Sequence, residues 1–560
     1  MSPALYYRRL LLLAAVAAAT PVLAQYTSGN RDITTPNTGA WPAGGVSLGG
    51  YNFINLGLQG VGRVAANSID SATGESLGSV SDMQITGWTK NGNGSYSGTF
   101  NFLPDRGYNS GSIYSNYGAR INEFSFNFTP YTSSATTTAQ DQIAMTFNGS
   151  TFFTYDHDAN SGTAPIRTTG LLPGSGAAGV GSFAGQNIPV VNTSTTLGGV
   201  TVNNRLTMDA EGLAFDRRPG KEGSGWVGDE YGANIYHFNS SKQLDGVLGL
   251  PAALVPHKPT GTVDHLSDPA TNGRRVNQGF EGVATSPDGT KLFTLLQSAT
   301  LQDSGSGNQN RANAVRLLSY DISSTDAPTA PARQYVIQLP RVDDNGATGG
   351  VAVNRAGAQS SILALNDHQL LILSRDGNGR GASGSPVFKS ILMADLTGAT
   401  DINGSFDAEG NFVTTTSGSG VLSASITSIT WTEALNLLGK LDLSITELEQ
   451  FGLNLNTGPG DINTLSEKWE AMGLVSANDP SAPNDYFLFV GNDNDFLTQT
   501  GKYLDASGTL QSYNSGLEND TVILAYRVTT NAVPEPSTYG AAAMLALAVG
   551  AVWRRRRTRG

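Results

Sequence analysis

The sequence predicts an all-β protein of the β-propeller type, with six or seven blades and one short helical insertion, and three observations carry that prediction. Its apolar runs are short, rich in Val, Ile, Phe, Tyr and Thr, and bounded by Gly, Asn, Asp or Pro, as strands between turns are. Glycine makes up 68 of 560 residues and only 14% are charged, a loop-rich composition. A carboxylate also recurs at the edge of strand-like runs, beside or close to a glycine. The firm copies are Asp209-Ala210-Glu211-Gly212-Leu213 and Gly279-Phe280-Glu281-Gly282-Val283; looser ones are Ser374-Arg375-Asp376-Gly377 and Lys468-Trp469-Glu470-Ala471-Met472-Gly473. Radially arranged blades bring equivalent strand ends to one central opening. The copies stand farther apart than one blade of roughly 40 to 50 residues, so the motif is not one per blade.

Taken in order, residues 1–24 form a secretory signal peptide: Arg8 and Arg9 precede the apolar run Leu10 to Ala19, and Val22-Leu23-Ala24 offers signal peptidase small residues before Gln25. Residues 25–50, rich in Gly, Pro and Thr, read as a flexible arm. The domain follows over 51–530. Its strand-like runs are Ser97 to Leu103, Ile121 to Thr129, Gln142 to Tyr155, Gly225 to Phe238, Lys291 to Leu296, Ala314 to Tyr320, Gln334 to Leu339, Ser361 to Ser374, Tyr486 to Val490 and Thr521 to Val528. Their spacing is that of antiparallel meanders, with no alternating helices. Thr432 to Phe451 reads as one or two short helices, with Leu435, Leu438, Leu441, Leu443, Ile445 and Leu448 at mixed helical spacing and Gly452 as the stop. They either cover an opening or pack in the core.

Residues 533–560 form a second address label. Val533-Pro534-Glu535-Pro536-Ser537 leads into an apolar helix over 539–553 and a basic tail over 554–559. The apolar run is short for a transmembrane helix that must cross about 30 Å of hydrocarbon, and snorkelling arginines make up the difference. This arrangement resembles the PEP-CTERM sorting signal. The resemblance implies transient anchoring in the inner membrane, removal of the tail by an exosortase-type enzyme, and delivery to the surface or matrix of a Gram-negative bacterium.

With both labels set aside, 27 basic and 45 acidic residues remain over 25–533, a net charge of −18. Such a surface repels nucleic acid and anionic lipid and suits cation binding or solubility. There is no cysteine, which excludes disulfides, thiolate metal sites and cysteine nucleophiles.

An acid just before a glycine stands where the backbone turns, and the glycine lets another strand or a ligand come close. Carboxylates converging on one opening raise one another's proton affinity unless a divalent cation neutralises them. Calcium, which takes six to eight hard oxygens, suits them best. A bound cation orients a phosphate and lowers the pKa of an attacking water.

Most of residues 50–530 resembles the esterase-like phytase family, whose members are β-propellers. The resemblance rests on Leu103-Pro104-Asp105-Arg106-Gly107, Asp209-Ala210-Glu211-Gly212-Leu213, Gly228-Asp229-Glu230-Tyr231-Gly232, Asn277-Gln278-Gly279-Phe280-Glu281-Gly282, Ser374-Arg375-Asp376, Glu470 and Asn492-Asp493-Asn494-Asp495-Phe496, in that order. It implies hydrolysis of phosphate or carboxylic esters. Asp105, Glu211, Glu281, Glu470, Asp493 and Asp495 would line the opening, with Glu211, Glu281, Asp493 and Asp495 as metal ligands and one acid as general base. Arg106 and Arg375 would clamp an anionic ester, and Asp229, Glu230 and Asp376 are secondary candidates. The chain departs from the family where Ser374 replaces a glutamate and where the glycine after Glu470 is delayed to Gly473.

Other motifs carry less. Gly74-Glu75-Ser76-Leu77-Gly78 matches a nucleophile elbow but lies in a polar segment, and none of His157, His237, His257, His265 and His368 stands in a triad context. Asp156-His157-Asp158-Ala159-Asn160-Ser161-Gly162 alternates oxygen ligands like a calcium loop, but its glycine is late and Arg167 replaces the bidentate glutamate. Two readings follow: a secreted, metal-assisted phosphoesterase of a small organic phosphate, or a non-enzymatic propeller binding calcium or exopolysaccharide in the matrix. A carboxylesterase or lactonase on the same fold is a third.

Overall fold

The computed structural model describes residues 26–531 apart from 36–37, 40–41, 43, 159–163, 175–179, 198–199, 266–270, 309, 344–352, 383, 441–444 and 456–459. The signal peptide and the sorting tail lie outside these residues. Among those described, no helix is long and apolar enough to cross a membrane.

Among the described residues the protein is nearly all-β, and its β-branched and aromatic runs assemble into five sheets of four or more strands. The first holds Asp82–Lys90, Tyr96–Leu103, Arg120–Phe128 and Ile143–Phe152. The second holds Ala210–Phe215, Gly225–Asp229, Asn234–Phe238 and Gln243–Val247, extended by Thr154–Tyr155 and Ile166–Arg167. Phe280–Thr285, Lys291–Leu296, Ala314–Asp321 and Arg333–Gln338 make the third, and Ala358–Ala364, Gln369–Arg375, Lys389–Asp395 and Thr430–Asn436 the fourth. In the fifth, Lys468–Ser476, Asp485–Asp493 and Thr521–Thr530 are joined by Tyr51–Val64 and Val46–Leu48 from the start of the domain. Phe53 pairs with Thr530 and Val64 with Thr521, so the two ends of the domain share one sheet.

The opening strands of these sheets touch one another in a cycle: Asp82–Lys90 against Ala210–Phe215, then Phe280–Thr285, Ala358–Ala364, Lys468–Ser476, and back to Asp82–Lys90. Among the described residues five sheets hold four or more strands, against the six or seven blades expected. Residues 396–429 add length without a strand, and 153–209 add only the hairpin of Val190–Leu197 with Val200–Leu206 besides the two strands that extend the second sheet. Strands such as Gln369–Arg375 and Lys389–Asp395 are buried throughout, because neighbouring sheets cover both faces; they therefore lack the alternation of a half-exposed strand. Trp226, Phe280, Phe293, Ile372 and Trp431 belong to one such inter-sheet core, and Phe100, Phe126, Phe487 and Phe489 to another.

Two expectations are corrected. Among the described residues Thr432 to Phe451 is not a helical insertion: Thr430–Asn436 is the last strand of the fourth sheet, and the one helical turn described is the 3-10 turn Glu449–Phe451, while Leu441 and Leu443 lie outside the described residues. Leu435, Leu437, Leu438 and Leu448 all enter one core, so their spacing reflects burial on every side rather than a helical stripe. The described part of the arm is held in place rather than free. Asp32–Ile33 pairs with Arg341–Val342, Ile33 is fully buried, and Glu433 N donates to Tyr26 O at 2.9 Å.

The Glu-Gly pairs follow from the crowding of opening strands. A Cβ on Gly212 would stand 2.6 Å from Glu281 O and from Val283 Cγ2, and one on Gly282 2.9 Å from Gln359 Oε1 and Ile362 Cγ2. Gly212→Ala is therefore expected to cost about 1–3 kcal/mol in urea unfolding, as overpacked cores do. Gly92→Ala, which would meet nothing within 4 Å, should come within about 0.5 kcal/mol of neutral.

Candidate functional site

Four opening strands skip one step of their ladder near the same end, at Glu211-Gly212, Glu281, Ser360 and Glu470. A bulge re-aims the extra side chain away from the sheet face, and bulges are concentrated beside active sites for that reason. The fifth opening strand begins instead with buried Asp82, which accepts hydrogen bonds from Leu213 N at 2.8 Å and Ser361 Oγ at 3.3 Å and so ties three opening strands together.

Next to these bulges lie the ends of the second strands and the turns after them: Asp105-Arg106, Asp229-Glu230, Gln297, Arg375-Asp376 and Asp493 to Asp495. One carboxylate oxygen from each of Asp105, Asp209 and Glu211 lies within 4.8 Å of the others, and Asp105, Asp493 and Asp495 form a second such group. Asp105 thus belongs to both. Glu211 takes no hydrogen bond from any described residue. In the second group Lys468 already supplies a positive charge, its Nζ lying 3.3 Å from Asp493 Oδ2 and 2.5 Å from Asp495 Oδ1.

The electrostatics record the same convergence. Burial raises the Glu211 carboxyl well above its ordinary range, reinforced by Asp209, Glu230, Glu470 and Asp105. Burial and then Asp209 push Asp105 up to about 7 and Glu230 up to about 8. Glu281 is raised by burial and then by Glu470 and Glu230, against the pull of Arg375 and Lys468. Buried carboxyls that resist ionisation together are what a shared cation relieves.

The expected residues fall into groups. Arg106 pairs with Asp209, bonds Asn277 Oδ1 and lies over the Tyr231 ring at 5.4 Å. Arg375 pairs with Glu470 and donates from Nε to Ser360 Oγ at 3.1 Å. Neither arginine pairs with the aspartate beside it in sequence. Glu281 is in neither acidic group; Gln297 Nε2 donates to its Oε1, while its buried Oε2 and Glu230 Oε1 have no hydrogen-bond partner. Asp229 and Asp376 hold backbone instead. Asp229 accepts from Asp209 N, Tyr231 N and Gly232 N, and Asp376 from Asn378 N and Phe388 N and from Lys389 Nζ at 3.0 Å.

Sequence reasoning missed Asp209, Lys468, Gln297 and Ser360. Asp209 was legible two residues before Glu211. Ser360 was not, because its position is marked only by the bulge. Gly473, the delayed glycine, packs against Ile85 of the first sheet. Ser76 of the elbow-like motif is buried and accepts from Lys502 N at 3.0 Å, and Glu75 pairs with Arg120. The calcium-loop-like segment lies largely outside the described residues.

Fold and site thus define a carboxylate-rich all-β protein whose charged groups meet where opening strands bulge. The family profile described as esterase-like activity of phytase matches residues 97–496, and the chain belongs to this phytase-like family. Residues 532–557 match the PEP-CTERM protein-sorting motif. An uncharacterized secreted protein of Arthroderma benhamiae is 30% identical over 483 residues, 81% of this chain and 89% of that one. Among solved structures, the PQQ-bound aldose sugar dehydrogenase of Streptomyces coelicolor is similar at 11% identity, covering 87% of this chain and 100% of its own, with a TM-score of 0.25. A putative 6-phosphogluconolactonase of Bacteroides uniformis gives 10%, 83%, 98% and 0.25 in the same order.

Proposed function

We propose that the protein is an exported, cation-assisted hydrolase of phosphate esters, built on a five-bladed propeller closed by pairing of its first and last strands. The cyclic contact of five opening strands supports the closed ring. The observation that carries the chemistry is the buried group Asp105, Asp209 and Glu211, an all-oxygen donor set whose Glu211 carboxylate has no donor. That chemistry fits a hard divalent cation such as calcium.

Asp105, Asp209 and Glu211 would hold the cation. When bound, it polarises a phosphoryl oxygen and makes a water more acidic. Arg106, fixed by Asp209 and Asn277, presents its guanidinium to the anionic ester; Arg375, fixed by Glu470 and Ser360, does the same from the end of its strand in the fourth sheet. Glu281, with its free Oε2, takes the proton of the attacking water, and Glu230 returns one to the leaving oxygen. Burial pushes Glu230 up to about 8, which disposes it to hold the proton it gives. Glu281 acts in its ionised form, which Arg375 and Lys468 favour against burial.

The test is an assay of the purified protein on 4-nitrophenyl phosphate and 4-nitrophenyl acetate, after chelation and again with calcium restored. Phosphate-ester hydrolysis should fall at least about 100-fold on chelation and return with calcium, as expected when a metal supplies the electrophile. Hydrolysis of the acetate alone would make the protein a carboxylesterase. Turnover of neither ester would leave the matrix-binding reading standing.

A further inference from the structure

The outer edges of four of the five large sheets are covered by other parts of the chain. Gln243–Val247 is flanked by Thr154–Tyr155, and that strand by Ile166–Arg167. Along Arg333–Gln338, Ile402 N donates to Gln334 O and Ile429 N to Val336 O, each at 2.8 Å. The arm seals Thr430–Asn436, with Ser28 N donating to Trp431 O at 3.0 Å. Val46–Leu48 covers the start of Tyr51–Val64; farther along, Leu58 N donates to Glu447 Oε2 at 2.9 Å and Val61 N to Gln142 Oε1 at 3.1 Å. Ile143–Phe152, the last strand of the first sheet, has no such cover. No described residue outside that sheet hydrogen-bonds its backbone.

Charges, prolines and bulges are what usually blunt an exposed edge. From Gln142 to Tyr155 there is neither charge nor proline. A bulge does occur, since Phe124 pairs with Phe147 and Glu123 with Gly149, which leaves Asn148 extra. It bends the strand beyond Phe147, so the run before it stays regular. Ile143 is tucked against Gly62 of the fifth sheet, where an added Cβ would meet Ile143 O at 2.5 Å. The open part is therefore Ala144–Phe147. Ala144 and Thr146 are exposed, and Met145 and Phe147 are only half-buried although they pack on the core of Phe100, Phe124 and Phe126. The Phe147 ring lies 5.3 Å from that of Phe124, so an aromatic core runs out to the open edge.

We infer that Ala144–Phe147 is a dimer interface, where a second copy of this chain adds the same strand antiparallel across a two-fold axis and joins two four-stranded sheets into one. The inference is independent of the hydrolase reading. Charge selects the occupant: with 27 basic against 45 acidic residues over 25–533, one copy repels another wherever acids are exposed, and this stretch opposes no charge to itself. A two-fold axis makes each contact twice, so Met145 and Phe147 of each copy cover the core end of the other. Pairing through so short a strand buries little surface, which makes the dimer weak, with a Kd of about 10–100 μM.

The experiment is sedimentation velocity of the purified protein over about 1–200 μM, a range that brackets a weak interface, at low and at high salt. Wild type should dimerise as concentration rises, and more tightly at high salt, which screens the repulsion between two acidic copies. Thr146→Lys, first matched to wild type by circular dichroism and Tm, should weaken dimerisation at least about tenfold, because it sets like charges face to face on the edge. Hydrogen exchange should slow among the amides of Ala144–Phe147 as the dimer forms. Since the chain has no cysteine, Ala144→Cys, Thr146→Cys and Asn148→Cys can report the axis under mild oxidation. At least one should trap a disulfide-linked dimer, which needs Cβ atoms about 3.5–4.5 Å apart. Thr509→Cys, exposed on another hairpin, should not. A dimer indifferent to Thr146→Lys, one that loosens as salt rises, or cross-linking through Thr509→Cys alone would overturn the inference. A protein monomeric throughout would overturn it too, and leave the edge to a strand of another protein.

Discussion

Glu211→Gln is expected to lower kcat/KM for phosphate esters by about 10²- to 10⁴-fold while leaving the fold intact, the range seen when a positioned catalytic group is lost. The amide keeps the shape of the side chain and removes one of three clustered anions, so cation affinity should fall with activity. The same substitution has a second signature in pH. In the unfolded chain carboxyls titrate near 4; in the folded chain Asp105 is pushed up to about 7, Glu230 up to about 8, and Glu211 is also raised. Between these values the folded state holds the extra protons, so the stability of the chelated protein falls as pH rises from about 4 to about 8. Calcium at pH 8 should restore Tm by binding the ionised form, and Glu211→Gln should flatten the decline. Full activity in Glu211→Gln, or a Tm that climbs with pH in chelated protein, would remove the assigned site.

Arg120→Met should be the most destabilising substitution away from the site, at about 3–5 kcal/mol in urea unfolding, because it strands buried carboxylates without their cation. Arg120 is 1% exposed, as are its partners Asp70, 3.3 Å from Nη1, and Glu75, 2.7 Å from Nη2. Its Nε donates to Gly118 O at 2.9 Å, and the guanidinium lies 3.6 Å over the Tyr117 ring. Removing both acids with the arginine, in Asp70→Asn and Glu75→Gln together with Arg120→Met, should recover much of the loss, since replacing a whole buried ionic group is far cheaper than breaking it. A single substitution that costs under 1 kcal/mol would show that water reaches this group.

What the sequence disclosed of this site follows from which contacts are local. Glu211, Glu281 and Glu470 could be found because a bulge at a crowded strand favours an acid followed by a small residue, a pattern written in adjacent positions. Asp105, Asp493 and Asp495 were reached only through the family resemblance, because no repeat along the chain singles them out. Asp376 has the same local pattern as Glu211 and a different fate, because Lys389 from the next strand claims it. Lys468 neutralises Asp493 and Asp495 across strands, and no spacing along the chain announces that. The strand content was readable from composition and turn residues. The count of sheets was not, since long excursions between strands add residues without periodicity. The leucines near 435–448 misled for a related reason: a strand buried on both faces has no polar side to betray its period.

The shared sheet at the two ends of the domain has a consequence for export. Asn52 N donates to Asn531 Oδ1 at 2.9 Å and Thr530 Oγ1 to Asn52 O at 2.9 Å, so the last residue before the sorting motif is fastened beside the first long strand. A chain threaded outward from its N-terminus presents Tyr51–Val64 early, and this strand must wait for Thr521–Thr530. Completion of the fold thereby waits for the residues that immediately precede the sorting motif. A chain cut short anywhere before residue 521 keeps an open sheet edge, the kind of edge that recruits other strands.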